Sequence, residues 1–122
     1  MAYPYGGINA VALGTATAST AQGQNAVAIG YFAGEFNQGA AAIAIGSYAG
    51  QNAQPASTIV INATGSTLNG VATNAFYAAP VRNIPASSLM LYDPVNNEVV
   101  YSNTVNATLT TNVINFLSLI HI

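Results

Sequence analysis

Two stretches of the chain are nearly alike: QNAVAIGYFAG at residues 24–34 and AAAIAIGSYAG at residues 40–50. Their spacing of sixteen residues extends in both directions and defines columns of similar residues. These columns are Val11, Val27, Ile43 and Ile59; Leu13, Ile29, Ile45 and Ile61; and Gly14, Gly30, Gly46 and Asn62. A fixed period of this kind is typical of solenoids, in which each repeat forms one coil that stacks on its neighbours.

The large–small–large pattern of Val27, Ala28 and Ile29 predicts a short strand in each repeat, because side chains alternate between the two faces of a strand. Stacking places the branched side chains of successive coils over one another, so we expect them to form the core. The alanine face is expected to let another subunit approach. The predicted core residues are Val11, Leu13, Val27, Ile29, Ile43, Ile45, Ile59 and Ile61.

Turns and polar columns complete each repeat. The glycine column fits a sharp turn at positive φ, and Asn62 replaces it in the last repeat as the side chain that best tolerates that conformation. Asn9 and Asn25 are expected to form a short amide ladder. We also expect Ile29→Asp to collapse the roll, because an unpaired charge in a dry core is costly, and Gln38→Asp to be nearly silent.

A hairpin is predicted after the repeats. Residues 88–92 and 98–102 flank Asp93-Pro94-Val95-Asn96-Asn97, in which proline presets φ and asparagine tolerates the left-handed region. Residues 75–81 are expected to form a strand that leads into this hairpin.

The last six residues, LSLIHI, are similar to the translation of a sequencing-library adapter, with a genuine apolar strand as the alternative. If they are an artefact, the gene continues and the tail is truncated. The predicted division is a β-roll at residues 1–73, a strand and hairpin connector at 74–103, and an unpatterned tail at 104–122, of which 117–122 are the suspected adapter.

The chain is almost uncharged. Of its 122 residues 3% are charged, with Arg82 the only basic residue, so no basic patch for nucleic acid is expected. The acids Glu35, Asp93 and Glu98 are assigned to solvated loops, and His121 lies in the suspect tail. Cysteine is absent. We therefore predict no catalytic residue, no metal site, no cofactor and no enzymatic activity; apolar runs shorter than ~18 residues also predict a chain that is not membrane-embedded.

Two sets of surface residues remain open to interpretation. Tyr31, Phe32, Phe36 and Tyr48 follow the strand triplets and either form a contact surface for a partner or a sugar, or cap the roll and fill a subunit interface. Arg82 either binds backbone carbonyls or pairs with an acid of a neighbouring chain, and we favour the second.

A family resemblance rests on the repeated phrases. NAVALG from Asn9, NAVAIG from Asn25 and AAIAIG from Ala41 resemble the repeat of trimeric autotransporter adhesin heads. AGQNAQPASTIVINATG, AFYAAPVRNI and LMLYDPVNNEVVYS are more similar to head-repeat proteins of large DNA virus and phage fibres. This resemblance implies a left-handed parallel β-roll in which three chains pack side by side, followed by a short β connector, and the period gives the roll about four sixteen-residue rungs. The unit is longer than the turn common in bacterial heads.

The function that the resemblance implies is a structural and binding segment of a homotrimeric fibre or adhesin, on a virion or cell surface, for attachment to a host receptor or glycan. A spacer without binding activity is one alternative. An ice-binding β-solenoid is another, but it needs a repeated Thr-x-Thr array, and only Thr15 and Thr17 provide one rung. A left-handed β-helix acyltransferase is disfavoured because sixteen is not a multiple of its six-residue step.

Overall fold

The computed structural model describes residues 6–104, so the predictions for residues 105–122, including His121 and the suspected adapter, lie outside the described residues. The described chain is all-β. Its strands are β1 (Val11–Leu13), β2 (Val27–Ile29), β3 (Ile43–Ile45), β4 (Ile59–Asn62), β5 (Phe76–Ala79), β6 (Leu89–Asp93) and β7 (Glu98–Ser102). Residues 6–104 contain no helix, and hence none with the length and hydropathy to span a bilayer.

Strands β1 to β5 form a parallel sheet in chain order, which is the sheet of a β-solenoid of about four turns. Val11 pairs with Val27 and Ile43 pairs with Ile59, so the sixteen-residue columns are the strand register. The predicted stacking of sixteen-residue repeats is confirmed. The last step is longer by one residue, because Ile59 pairs with Phe76.

Strand β5 belongs to this sheet, whereas the sequence pattern assigned it to the connector from residue 74 onward. The chain divides after Arg82 into two compact units, the first ending at Arg82 and the second beginning at Asn83. The roll is therefore one strand longer than predicted. Strands β6 and β7 form a separate antiparallel pair in the second unit.

The interior of the roll is lined by the small side chains. Ala28, Ala44 and Val60, at the middle of their strands, are 0% exposed, and Ala12 packs against them. The predicted core is therefore wrong: the branched residues point out of the coil. Val11, Leu13, Ile45, Ile59 and Ile61 are exposed, and Val27, Ile29 and Ile43 are half-buried. The alanine face, being interior, cannot receive another subunit.

The reason for this reversal is the narrowness of each coil. A Cβ added at Gly34, on the wall opposite the strands, would lie 3.2 Å from the Cβ of Ala28. The two walls are thus already in contact through a single methyl group. At Ala28 a valine or isoleucine has no room between them, so the alternation of the strand places its larger side chains outside. In β4 the interior side chain is a valine, Val60.

A column of buried glutamines fills the rest of the interior. Nε2 of Gln22 donates to Oε1 of Gln38 at 3.1 Å, and Nε2 of Gln38 donates to Oε1 of Gln54 at 3.2 Å. Each amide also donates to a strand carbonyl: to Val11 O at 2.7 Å, to Val27 O at 2.8 Å and to Ile43 O at 3.0 Å, respectively. This glutamine ladder therefore joins successive coils to one another and joins each glutamine to a strand by hydrogen bonds.

The expectation that Gln38→Asp is nearly silent assumed an exposed glutamine, and that assumption is wrong. Gln38 is 3% exposed and lies at the centre of the ladder, with partners above and below. An aspartate side chain is too short to span these contacts and would bury a charge without a cation in reach. Conversely, Ile29 points outward, so the expected collapse of the coil on Ile29→Asp loses its physical basis.

The turn after each of the first three strands adopts positive φ, as predicted: φ is 129° at Gly14 and Gly30 and 109° at Gly46. Asn62, at the same position of the last repeat, does not adopt positive φ. It ends β4 with its side chain buried, and its Nδ2 donates to Ser47 O at 2.9 Å and to Ser66 O at 2.6 Å. The asparagine thus stabilises the last turn by hydrogen bonds rather than by tolerating positive φ.

A second positive-φ column precedes the strands and explains Asn9 and Asn25, which both have φ of 60°. Ala41 and Ser57 continue this column at 55° and 57°. Asparagine is favoured in the left-handed region, so its presence reflects the backbone. Both side chains are exposed, and no hydrogen bond within residues 6–104 joins their amides, so the structure lacks the predicted ladder.

The far end of the interior is closed by Tyr77 of β5 together with Leu68, which both pack against the alanine core. The hydroxyl oxygen of Tyr77 accepts hydrogen bonds from the backbone N–H groups of Val71 at 3.0 Å and Ala72 at 2.8 Å. These bonds fix the ring across the last coil. In the strand register the interior residue changes from Ala44 to Val60 and then to Tyr77, and the parallel sheet ends there.

The predicted hairpin is confirmed. Leu89 pairs with Ser102 and Asp93 with Glu98, and the turn between the strands has φ of 56° at Asn97. Oδ1 of Asp93 accepts from the backbone N–H of Val95 at 2.9 Å, which stabilises the turn.

Candidate functional site

The outward side of the parallel sheet, here called the aliphatic face, consists of the first and third residues of β1–β4 and of Phe76 in β5. Leu13 is 63% exposed, Phe76 62% and Val11 48%. Neither these strands nor β5 contain a charged residue. The face is therefore a continuous apolar surface in a chain whose own interior is already filled.

The strand register determines the shape of this face. Val27 lies over Val11 and Ile43 over Val27, and the same holds for Leu13, Ile29 and Ile45 in the parallel column. Successive rungs are ~4.8 Å apart, so two straight columns of aliphatic side chains run along the axis. The strand amides lie in the plane of the sheet, and the face offers its partner no hydrogen-bonding side chain. The chemistry of the face therefore matches that of another apolar surface.

Three of the four predicted contact aromatics form a cluster at the turns that follow β2 and β3. The ring centroids of Tyr31 and Phe32 are 4.1 Å apart and those of Tyr31 and Tyr48 are 5.5 Å apart, both in edge-to-face contact. Phe32 and Tyr48 stack with centroids 5.5 Å apart and an interplanar angle of 26°. Tyr31 is 46% exposed, so the cluster presents one ring to solvent.

The backbone under this cluster is unusual. Phe32 and Tyr48 have φ of 58° and 60°, a region that bulky residues seldom adopt. The third member of their column, Ala16, has φ of 55°. The coil imposes the conformation on all three. The mutual stacking of the two rings supplies a compensating contact.

Phe36 lies apart from these three aromatics. It pairs in a β-bridge with Asn52 in the next coil and is 41% exposed. It shares no ring contact with the cluster within the described part of the chain. The four predicted contact residues therefore form one cluster of three and one separate side chain.

Glu35 is not a solvated loop acid as predicted. It is 8% exposed, and its Oε2 accepts a hydrogen bond from Nε2 of Gln51 at 2.8 Å. Oε1 of Gln51 in turn accepts from the hydroxyl of Thr67 at 2.7 Å. The sixteen-residue spacing of Ser19, Glu35, Gln51 and Thr67 is the signal that predicts this polar column. The carboxylate is engaged in a contact between coils.

The acids of the hairpin lie opposite each other at its turn, since Asp93 pairs with Glu98. The pKa of Asp93 is lowered because the side-chain amide of Asn96 and the backbone N–H of Val95 donate to its carboxylate. No ion pair joins Arg82 to an acid within residues 6–104, so its interchain pairing stays a prediction. The same residues contain no group of three or more metal-ligating side chains.

No protein-family model, curated protein or solved structure matches this chain. Its function is therefore inferred from the surfaces described above.

Proposed function

We propose that this chain is a structural and binding segment of a homotrimeric fibre or adhesin, displayed on a virion or cell surface, with the aliphatic face as the contact between subunits. The observation that carries the proposal is the placement of side chains on β1–β4. The first and third residues of each strand, which are isoleucine, leucine or valine, lie outside, while the middle residue, alanine in β1–β3 and valine in β4, lies inside.

The energetics favour association of the rolls. Interior alanines bury little apolar area, and a small domain with a thin core is marginal on its own. Burying a leucine or isoleucine side chain contributes about 1.5–3 kcal/mol, and each copy offers a row of them. A second copy of the chain presents the same spacing of rungs, so its face matches this one rung by rung.

The number of copies follows from the resemblance to trimeric adhesin heads and viral fibre proteins, and the geometry is compatible with it. The aliphatic face has two columns, one through Val27 and one through Ile29. Around a threefold axis every subunit contacts two neighbours, so one column can face each of them. The three faces then enclose a shared apolar core between the rolls.

The binding role is assigned to the aromatic surface of the same roll. Tyr31 and Phe36 expose 46% and 41% of their area, enough to stack on a sugar or to anchor a protein receptor. Packing against the roll edge or a neighbouring subunit remains the alternative role of the cluster. Substituting Tyr31 with alanine separates the two: loss of glycan or cell binding by an intact trimer supports the contact surface.

Sedimentation equilibrium of the full chain tests the assembly. We expect a trimer at micromolar concentration, and we expect Ile45→Asp to shift it to monomers that keep the wild-type circular dichroism spectrum. Gln24→Asp adds the same charge at an exposed loop position and should leave the trimer intact. A folded wild-type monomer at these concentrations would refute the assignment of the aliphatic face.

No second function is proposed, because no observation favours one. Of the two threonines that an ice-binding array would require, Thr17 is 3% exposed, and its hydroxyl donates to Gly30 O at 2.5 Å inside the coil. Thermal hysteresis in dilute solution would nevertheless restore the ice-binding alternative. A trimer without affinity for glycans or cells would indicate a spacer.

A further inference from the structure

The hairpin of β6 and β7 has one face made only of large apolar side chains, here called the hairpin face. It consists of Met90 and Tyr92 on β6 and of Val99 and Tyr101 on β7, which the register places opposite one another. Tyr101 is 78% exposed, Met90 73%, Tyr92 61% and Val99 60%. A soluble two-stranded ribbon rarely leaves such a set uncovered.

The other face of the same hairpin differs in chemistry. Leu89, Leu91 and Val100 lie there with Asp93 and Glu98, which pair with each other next to the turn. This face can border water at its charged end. The hairpin face carries no charge and no side-chain amide, so water is a poor solvent for it.

Both strands of the hairpin are also edges. Within residues 6–104, β6 and β7 pair only with each other, so half of the backbone N–H and C=O groups of each strand point away from the ribbon. A two-stranded hairpin is marginally stable in water without further strands or a packed face. No residue in the described part of the chain therefore pairs with the edges of the ribbon or covers its apolar face.

We propose that the hairpins of three copies close into one six-stranded antiparallel barrel, in which β6 of each copy pairs with β7 of the next and the hairpin face lines the interior. This inference rests on the proposed trimer and names a second interface within it. Every free edge is consumed when the ring closes.

Symmetry makes the strand directions compatible. Rotation about a threefold axis preserves the direction of a strand along that axis, and β6 and β7 run opposite to each other within one hairpin. Hence β6 of one copy always meets β7 of its neighbour in the antiparallel sense. The contact is head-to-tail, and it closes after three copies.

The areas of the two apolar surfaces favour other copies of this chain as the partner of the hairpin face. The exposed fractions of its four side chains give the hairpin face an area on the order of 500 Å² per copy, below the ~800 Å² per partner of a stable interface. The exposed residues of the aliphatic face give a similar area, also on the order of 500 Å². Neither surface reaches the threshold alone, whereas a trimer that uses both exceeds it.

Hydrogen exchange of the full chain, measured as a function of concentration, tests the barrel. The amides of β6 and β7 that point away from the hairpin should exchange at least ~100-fold more slowly in the trimer than after dilution to monomer. The amides that face the hairpin partner serve as the internal reference. Concentration dependence distinguishes a neighbouring copy from a cover supplied by the same chain.

A variant pair gives a second readout. Tyr101→Asp places a charge on the hairpin face and should abolish the slow exchange of the outward amides, while Val95→Asp adds the same charge at a turn position that is 85% exposed and should not. We expect the dissociation constant of the trimer to rise at least ~100-fold for Tyr101→Asp and to change less than ~3-fold for Val95→Asp.

Two outcomes overturn the inference and leave the proposed function standing: a wild-type trimer whose outward hairpin amides exchange freely, or slow exchange that persists unchanged in the diluted monomer. A wild-type chain that remains monomeric at all concentrations overturns both proposals. Slow exchange that appears only with trimer formation and disappears in Tyr101→Asp supports the barrel.

Discussion

The two sides of the same strands differ more than any other pair of regions in this molecule. Ala44 is 0% exposed and contacts the glutamine-lined interior, whereas its neighbour Ile45 is 39% exposed on the aliphatic face. The interior side chains are small and include amides, whereas the outer side chains are large and entirely apolar. Large apolar residues are therefore not a reliable mark of a monomer's interior when a coil is too narrow to hold them.

The largest effect is expected from a charge inside the coil. Gln38→Asp removes the contacts to Val27 O and to the amides of Gln22 and Gln54, and it buries a carboxylate. We expect a loss of about 3–5 kcal/mol in the free energy of unfolding, measured by urea denaturation. Gln24→Asp, at an exposed position, should cost less than about 0.5 kcal/mol. Equal stabilities would show that the ladder does not hold the coil.

A methyl group between coils is the next most disruptive change. A Cβ at Gly23 would overlap the backbone of Gly39 and Ala40, which cannot move without separating the rungs. Gly23→Ala should therefore cost about 3 kcal/mol or more. Gly65 is the matched control: it has φ of 78° but nothing within 4 Å of the added Cβ, so Gly65→Ala should cost about 1 kcal/mol from backbone strain alone. Thermal unfolding of the two variants side by side measures the difference.

Adjacent substitutions compare the two sides directly. Ala44→Leu forces three extra carbon atoms into the filled interior and should destabilise the roll by about 2–3 kcal/mol. Ile45→Leu conserves volume on the outer side and should change stability by less than about 1 kcal/mol. Urea denaturation of the dissociated chain measures both. If Ile45→Leu proved the more costly of the two, the assignment of inside and outside would be reversed.

The smallest effect concerns the hairpin turn. The lowered pKa of Asp93 means that its carboxylate stabilises the folded turn fully above its ordinary value of 3.8, and that this contribution is lost as the pH falls through the folded-state value. Asn96→Ala removes the largest cause of the shift, so the pKa of Asp93 should rise toward 3.8 in an NMR titration. Asn103→Ala, remote from the turn in the pairing register, should leave the titration unchanged. An unaltered pKa in Asn96→Ala would contradict this hydrogen bond.

The sequence predicted the order and register of the roll well, because a sixteen-residue period is directly visible and parallel stacking converts it into strand pairs such as Val27 with Ile43. It also predicted the hairpin and the positive φ of Gly30. The alternation of large and small residues, however, indicates only that the two faces of each strand differ. It does not state which face lies inside, and that depends on the width of the coil.

The coil width depends on turns that the residue pattern concealed. Ala41 and Phe32 adopt left-handed conformations that their side chains do not indicate. Two signals for the interior were nevertheless present: the glutamine column, and the alanine between the two branched residues in each of β1, β2 and β3. Glu35 was likewise placed in solvent because a single acid in a loop is usually exposed, whereas its column partner Gln51 lies one coil further on.

The strict register of the first four strands has a consequence for how such a gene can change. Duplication of any sixteen codons between β1 and β4 would insert one complete coil and leave every column, including the glutamine ladder, in phase. The roll would lengthen by ~4.8 Å, while Tyr77 would still close its end. Replication slippage could thus change the length of the roll by one coil at a time and leave the pattern of both contact surfaces unchanged.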